Sequence, residues 1–351
     1  MSQANAASPR RNLSPARIAT SIVVLIGVVL FASAGFYTDV LWYNQLGYSE
    51  VLFNRIWAQA TLFAITAITG GGLLGLSIWI AWRTRPVYVK FAADNEVLGQ
   101  VREAFNQLRK GLLIAIPVGF GVLSGLAGAS YWDTALLFLN GVQSGQTDAQ
   151  FGLDVSFYLF TLPFLHPAIG FLSTALFLSA IAAALLHLLT GGLRLNGRTG
   201  TTTKAARVQI AVTAALFMVV EGISLWLDQY NTLTSPSGLF TGATYSDVNA
   251  SIPGLQILSL IGFLVAILFL VTAVIGRWRL PIVGTALMIV SNIVLTGLYP
   301  WVVQQFQVVP NERTLEAEFI KRNINATLKA YGLENIETIN YDAKTTATPG
   351  A

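Results

Sequence analysis

Seven apolar runs divide this chain, and its Lys and Arg residues fall almost entirely in alternate gaps between them. The runs cover 18–36, 56–82, 111–129, 167–189, 208–227, 255–275 and 281–303. Each is close to the ~20 residues a helix needs to cross the hydrocarbon core of a bilayer. A helix satisfies its own backbone hydrogen bonds, so apolar runs of this length span lipid as helices. The expected fold is therefore all-α, a polytopic membrane bundle of seven transmembrane helices accompanied by interfacial helices.

The gaps set an orientation. Arg10, Arg11 and Arg17 precede the first run, and Arg83, Arg85, Lys90, Arg102, Arg109 and Lys110 follow the second. Arg194, Arg198, Lys204 and Arg207 follow the fourth, and Arg277 and Arg279 follow the sixth. The gaps 37–54, 130–165 and 228–254 hold no basic residue except Arg55 at the edge of the first. Basic loops stay cytoplasmic, which predicts the N-terminus inside and the C-terminus outside a bacterial plasma membrane. Residues 1–17 read as a disordered cytoplasmic tail, 18–303 as the membrane domain, and 304–351 as an extracytoplasmic linker to a larger domain. Arg17, Ile18–Phe31 and Ala32-Ser33-Ala34 imitate a secretory signal. The run continues through Gly35 and Phe36, which suits an uncleaved first span.

With 54% hydrophobic and 11% charged residues, the chain does not suit a soluble surface. Its net charge of +4 lies on the predicted cytoplasmic side, facing anionic headgroups rather than nucleic acid. Zero cysteines exclude disulfides and thiolate chemistry. No Walker loop, Rossmann fingerprint, HExxH or serine elbow is present, so no cofactor or metal is expected.

Three segments predict more than spans. Val97, Val101, Phe105 and Leu108 recur at helical spacing after Asp94, which can cap an interfacial helix near 94–110. Residues 155–165 are apolar and too short to cross, and Pro163 and Pro167 separate them from the fourth run. A re-entrant or interfacial helix fits, as does one long Pro-kinked helix. After Val303 the chain turns polar, with a helix expected from Thr314 as N-cap to about Tyr331 and Gly332 as its stop. The aromatic stretch 37–54 is expected to lie along the membrane surface. Gly71/Gly75 and Gly121/Gly125 permit close helix approach.

Tyr37–Val51, Phe151–Leu165, Gly242–Ala250 and the Pro310–Leu333 stretch with Glu316, Ile320, Asn323 and Tyr331-Gly332-Leu333 resemble the UPF0182 family of large bacterial integral membrane proteins. The resemblance implies seven spans followed by a large extracytoplasmic domain. This chain then corresponds to the N-terminal membrane part. The resemblance carries no settled activity.

Ionisable residues inside spans are costly and rare, which makes them functional candidates. Glu221 lies in the fifth run, with Asp228 seven residues on along a similar face. A transporter would use Glu221 to couple a proton or cation, with Asp228 at the mouth; a packed, hydrogen-bonded Glu is the structural alternative. His166, between Pro163 and Pro167, can titrate near neutral pH or simply begin a helix. Asp39, Asp154 and Asp247 lie in the family-like motifs of acidic outer gaps, where N-capping competes with a functional role. Two functions follow: a scaffold that anchors an extracytoplasmic domain and docks envelope proteins in the lipid bilayer, or an ion- or proton-coupled transporter or channel subunit. An enzyme ranks behind both, because no paired carboxylates converge.

Overall fold

The computed structural model describes residues 15–86, 96–194, 201–236, 240–335 and 339. Among them, α1 spans Pro15–Gln45, α2 Ser49–Arg83, α3 Glu96–Ala129, α4 Trp132–Leu139, α5 Leu162–Thr190 and α6 Lys204–Asp228. The series continues with α7 Ile252–Ile275, α8 Arg279–Asn292, α9 Tyr299–Val303, α10 Glu312–Leu315 and α11 Ala317–Ala330. A two-residue ribbon, β1 Leu193–Arg194 with β2 Thr201–Thr202, closes the turn between α5 and α6. Seven helical stretches are long and apolar enough to cross a membrane: 19–45, 49–83, 99–129, 157–190, 204–233, 247–275 and 279–315. The protein is an all-α bundle of seven such helices.

Sequence neighbours pair as hairpins. α2 packs along α3 and α6 along α7, while α5 bridges the two pairs through α2 and α6. Small residues make these approaches close. A Cβ on Gly71 would stand 3.0 Å from the Pro117 carbonyl and 3.2 Å from Gly121 Cα, so a side chain there forces α2 and α3 apart. Gly262 meets Gly222 Cα at 3.2 Å in the same way, and Ser259 Oγ donates to the Gly222 carbonyl at 2.7 Å. Flanking the pairs, α1 touches α2 and leaves its apolar surface free for lipid, with Phe31 87% exposed.

Proline placement explains the long continuous spans. Four π-helical turns, Phe157–Thr161, Asp247–Ser251, Ile293–Leu298 and Gln304–Val308, each end two residues before a proline: Pro163, Pro253, Pro300 and Pro310. A proline removes one N–H and its ring presses on the carbonyl four residues back. Widening the preceding turn relieves that clash and keeps the helix running. Pro117 and Pro167 lie inside α3 and α5 without such a turn.

Several expectations change accordingly. The segment 155–165 is not set apart from the fourth span, because its π-turn leads directly into α5. Residues from Glu96 onward continue into α3 without a break, while Asp94 and its capping role lie outside the described residues. The 37–54 gap is no surface loop: α1 extends to Gln45 and α2 begins at Ser49, with Gly47 at φ 76° in the tight turn. Asp39 therefore sits inside α1 and caps nothing. Thr314 falls within α10 rather than before α11, because the chain kinks at Glu316. Gly332, at φ 67°, stops α11 as expected.

Candidate functional site

Apart from Arg55, which stands over Trp132, the described basic residues of the gaps lie towards one end of the bundle, where Arg102 reaches the Leu188 carbonyl and Arg207 the Val274 carbonyl, and the acidic gaps lie towards the other. The polar chemistry of the two ends differs. Towards the basic end, fully buried His187 places Nε2 2.9 Å from Gln209 Oε1. Gln209 Nε2 donates to the Ser77 carbonyl at 2.7 Å, and Ser77 Oγ donates to the Ser179 carbonyl at 2.7 Å. This neutral chain of bonds ties α2, α5 and α6 together.

Towards the acidic end, α5 and α6 carry ionisable groups in register. Ser173 Oγ donates to Glu221 Oε1, and His166 Nδ1 stands 3.6 Å from Asp228 Oδ1. The helices run antiparallel, so a step of seven residues back along α5 matches seven forward along α6. Each step is two turns, roughly 10 Å of axial rise. The result is a ladder with two rungs, one within the span and one near its mouth. All four side chains are partly buried. His187 lies 21 residues along the same helix from His166 and belongs to the neutral network instead. Among the described residues, no three His, Asp or Glu side chains converge as metal ligands.

Beyond the ladder, carboxylates fold the acidic gaps. Asp148 accepts from Gln150 N at 2.8 Å, Phe151 N at 2.6 Å, Leu153 N at 2.8 Å and Tyr158 OH at 2.9 Å. Asp154 accepts from Ser144 N at 3.1 Å, Gly145 N at 2.9 Å and Ser156 N at 2.8 Å. Bonds from Ser156 first, then Ser144, hold its carboxyl well below the usual carboxylate range. Asp154 thus caps the helix that starts beside it. Asp247 plays a different part from simple capping. Its carboxylate accepts from Thr244 N at 3.0 Å, while Asp247 N donates back to Thr244 Oγ1 at 3.3 Å, a reciprocal capping box.

The next backbone donor at that helix start is served from far along the chain. Tyr245 N donates to Glu316 Oε1 and Oε2 at 3.1 and 3.2 Å, and Glu316 is 1% exposed. Burial pushes its pKa up, and nearby Asp247 and Glu312 push the same way, against the lowering bond from Tyr245. Around it, Tyr245 meets the Phe319 ring edge-on at 6.3 Å, Asn323 Nδ2 donates to the Thr241 carbonyl at 2.9 Å, and Arg322 Nη1 donates to Gln150 Oε1 at 3.2 Å. α11 is therefore fastened to both acidic gaps. Between it and them lies a cavity of about 760 Å³, lined among others by Gln146, Asp148, Thr241, Phe319 and Asn325.

The family model described as "Uncharacterised protein family (UPF0182)" matches residues 16–351. The chain belongs to the UPF0182 family. A UPF0182 protein of Clavibacter sepedonicus is 46% identical over 100% of this chain and 36% of its own length. Those of Paenarthrobacter aurescens and Kocuria rhizophila are 45% and 44% identical, covering 98% and 96% of this chain and 34% of each relative. The chain thus spans about a third of the length of these UPF0182 relatives. No solved structure matches it.

Of the sequence candidates, the structure brings Glu221, Asp228 and His166 onto one interface and sets Asp154 and Asp247 at two separate helix starts. Asp39 stands apart from both. Sequence reasoning missed three partners: Ser173, the His166–Asp228 pairing, and Glu316 as a buried acceptor. The signal for the ladder was the shared seven-residue step, 166 to 173 and 221 to 228. For Glu316, a carboxylate in a family-like motif was visible, but its partner 71 residues away was not.

Proposed function

We propose that this membrane bundle is an anchor and scaffold that holds an extracytoplasmic region in a fixed orientation and offers that face to envelope partners. The observation that carries the reading is the buried Glu316 on Tyr245 N, with the Asn323 and Arg322 bonds beside it. A flexible tether needs no such fastening; a presenting platform does. The alternating basic gaps support an inside N-terminus and an outside position for α11. Spin labels on Ser144 and Lys329 test the fastening, since the chain has no native cysteine to interfere. A single narrow distance distribution in lipid is expected, and a broad one rejects the anchor. Membrane-impermeant labelling of Ser144→Cys in intact cells tests the orientation separately.

A second reading has its own support in the two-rung ladder: proton- or cation-coupled transport through Glu221. Discontinuous or widened helices beside an intramembrane acid are a common architecture for such sites. Against it, Glu221 is occupied by a direct partner, Ser173. Glu221→Gln is expected to leave assembly intact; proteoliposome flux that is present in the parent and abolished in this variant would establish coupling at that residue, while unchanged flux would remove it.

A further inference from the structure

We infer that the α2–α3 hairpin holds the phosphate of an anionic phospholipid between Arg85 and Arg109, at the basic end of the bundle. Three guanidiniums gather on two indoles there. Arg85 Cζ stands 3.6 Å from the centre of the Trp82 ring, and Arg109 Cζ, reaching over from α3, stands 5.9 Å from the same centre. Arg83 Cζ lies 5.8 Å from the Trp79 ring, one turn earlier on α2. Trp82 is itself fixed, edge-on to Phe105 at 6.3 Å and packed on the buried cluster of Ile78 and Leu186. One indole therefore brings two like charges, carried on different sides of the hairpin, no further apart than the sum of their distances to it.

Two cations so placed repel each other, and no carboxylate among the described residues offsets them. The ion pairs of the described residues are His166–Asp228 and Arg322–Glu318, both towards the acidic end. None of the three arginines donates a hydrogen bond to another described residue. Attraction to a ring face leaves a guanidinium's N–H donors unused, and their planar fork takes two oxygens at once. A phosphate supplies both the missing charge and the matching oxygens.

The surroundings say which phosphate. Trp79 is 57% exposed, and Leu108, beside Arg109 on α3, is 62% exposed. Both belong to helices long and apolar enough to cross a membrane. An exposed indole one turn from an arginine suits the headgroup layer, where its polar edge and apolar body are both served. A free phosphate or a nucleic acid would meet the arginines alone. A phospholipid meets them with its phosphate and covers the apolar surface with its acyl chains. A choline headgroup would set its own cation beside Arg83, so the site favours a lipid of net negative charge. The inference needs neither the anchoring nor the transport reading.

Native mass spectrometry of the purified protein in an uncharged detergent tests this. The probes are phosphatidylglycerol, phosphatidylcholine with the same acyl chains, and inorganic phosphate as a competitor. Phosphatidylglycerol is expected to bind about fivefold or more better than phosphatidylcholine, the scale of a partly exposed charge pair. Arg85→Gln/Arg109→Gln should remove that preference. Arg277→Gln/Arg279→Gln, which removes as much charge from the turn between α7 and α8, should keep it. Arg85→Lys/Arg109→Lys keeps both charges, which guards against misfolding as the cause of a loss, and should still lose about half of the preference or more with the planar fork. The inference is overturned if the two lipids bind equally or if inorganic phosphate displaces the lipid at equal concentration. It is equally overturned if both Gln pairs lose the preference alike, which would mean diffuse surface charge, or if the Lys pair binds in full.

Discussion

The two ends of the α5–α6 pair solve the same problem with different chemistry. Towards the basic end, His187, Gln209, Ser77 and Ser179 are 0–8% exposed and joined by neutral amide, imidazole and hydroxyl bonds. Towards the acidic end, Glu221 and Asp228 on α6 meet Ser173 and His166 on α5, and both rungs are partly open. Neutral bonds in a buried site hold three helices without a charge to desolvate. Ionisable rungs hold two helices more weakly, and they can gain or lose a proton. Rigidity is thus concentrated at one end and titratable chemistry at the other, where the fastening of α11 also lies.

Substitutions can break this contrast in order of expected size. The largest effect should come from Gln209→Leu, which leaves the buried His187 Nε2 without its partner and cuts the bond from α6 to the Ser77 carbonyl on α2. A loss of roughly 2–3 kcal/mol is expected, read by denaturant titration in micelles and independent of pH. A loss that grew with acid would show that the buried network carries charge after all.

Next comes Glu316→Ala, which leaves the Tyr245 N–H without its acceptor, for about 1–2 kcal/mol of local docking. Here pH matters. Burial raises the folded pKa of Glu316 above its unfolded value. Its stabilising contribution is fully present below the ordinary carboxylate pKa and is lost as pH rises through the raised folded value. Docking of α11, followed by the Ser144–Lys329 spin-label distance, should therefore tighten on acidification. Glu316→Gln should stay docked and lose that dependence; a variant that kept the full pH response would assign it to another group.

The smallest effect belongs to Asp228→Asn. A partly exposed His–carboxylate pair at 3.6 Å contributes under about 1 kcal/mol. The sharper measurement is a double-mutant cycle with His166→Ala in micelles, which should return a small favourable coupling between the two side chains. A coupling of zero would mean that the rung does not form.

Much of this architecture was legible in one dimension because lipid imposes a length rule. Seven apolar runs produced seven helices, and Gly71 and Gly121 foretold a close approach that α2 and α3 make. Boundaries were harder. Pro163 looked like a break, yet the π-turn before it absorbs the missing N–H and the clash, so the span runs on. Thr314 looked like a cap by residue type, but Glu316 turns inward to a distant N–H and moves the helix start. The ladder was half visible: Glu221 and Asp228 share a face on any helix, whereas the partner helix and its register come from packing.

The sequence by itself determined the class, the number of spanning helices and the segregation of basic from acidic gaps. Those depend on hydropathy and charge read residue by residue against a bilayer. Only the tertiary structure decided that His166 meets Asp228, that Ser173 occupies Glu221, and that Glu316 binds Tyr245 across 71 residues. Such pairings depend on which helices are neighbours and how they slide past one another. Close contacts at Gly71 and Gly222, together with proline-widened turns, set that register, and no local periodicity encodes it.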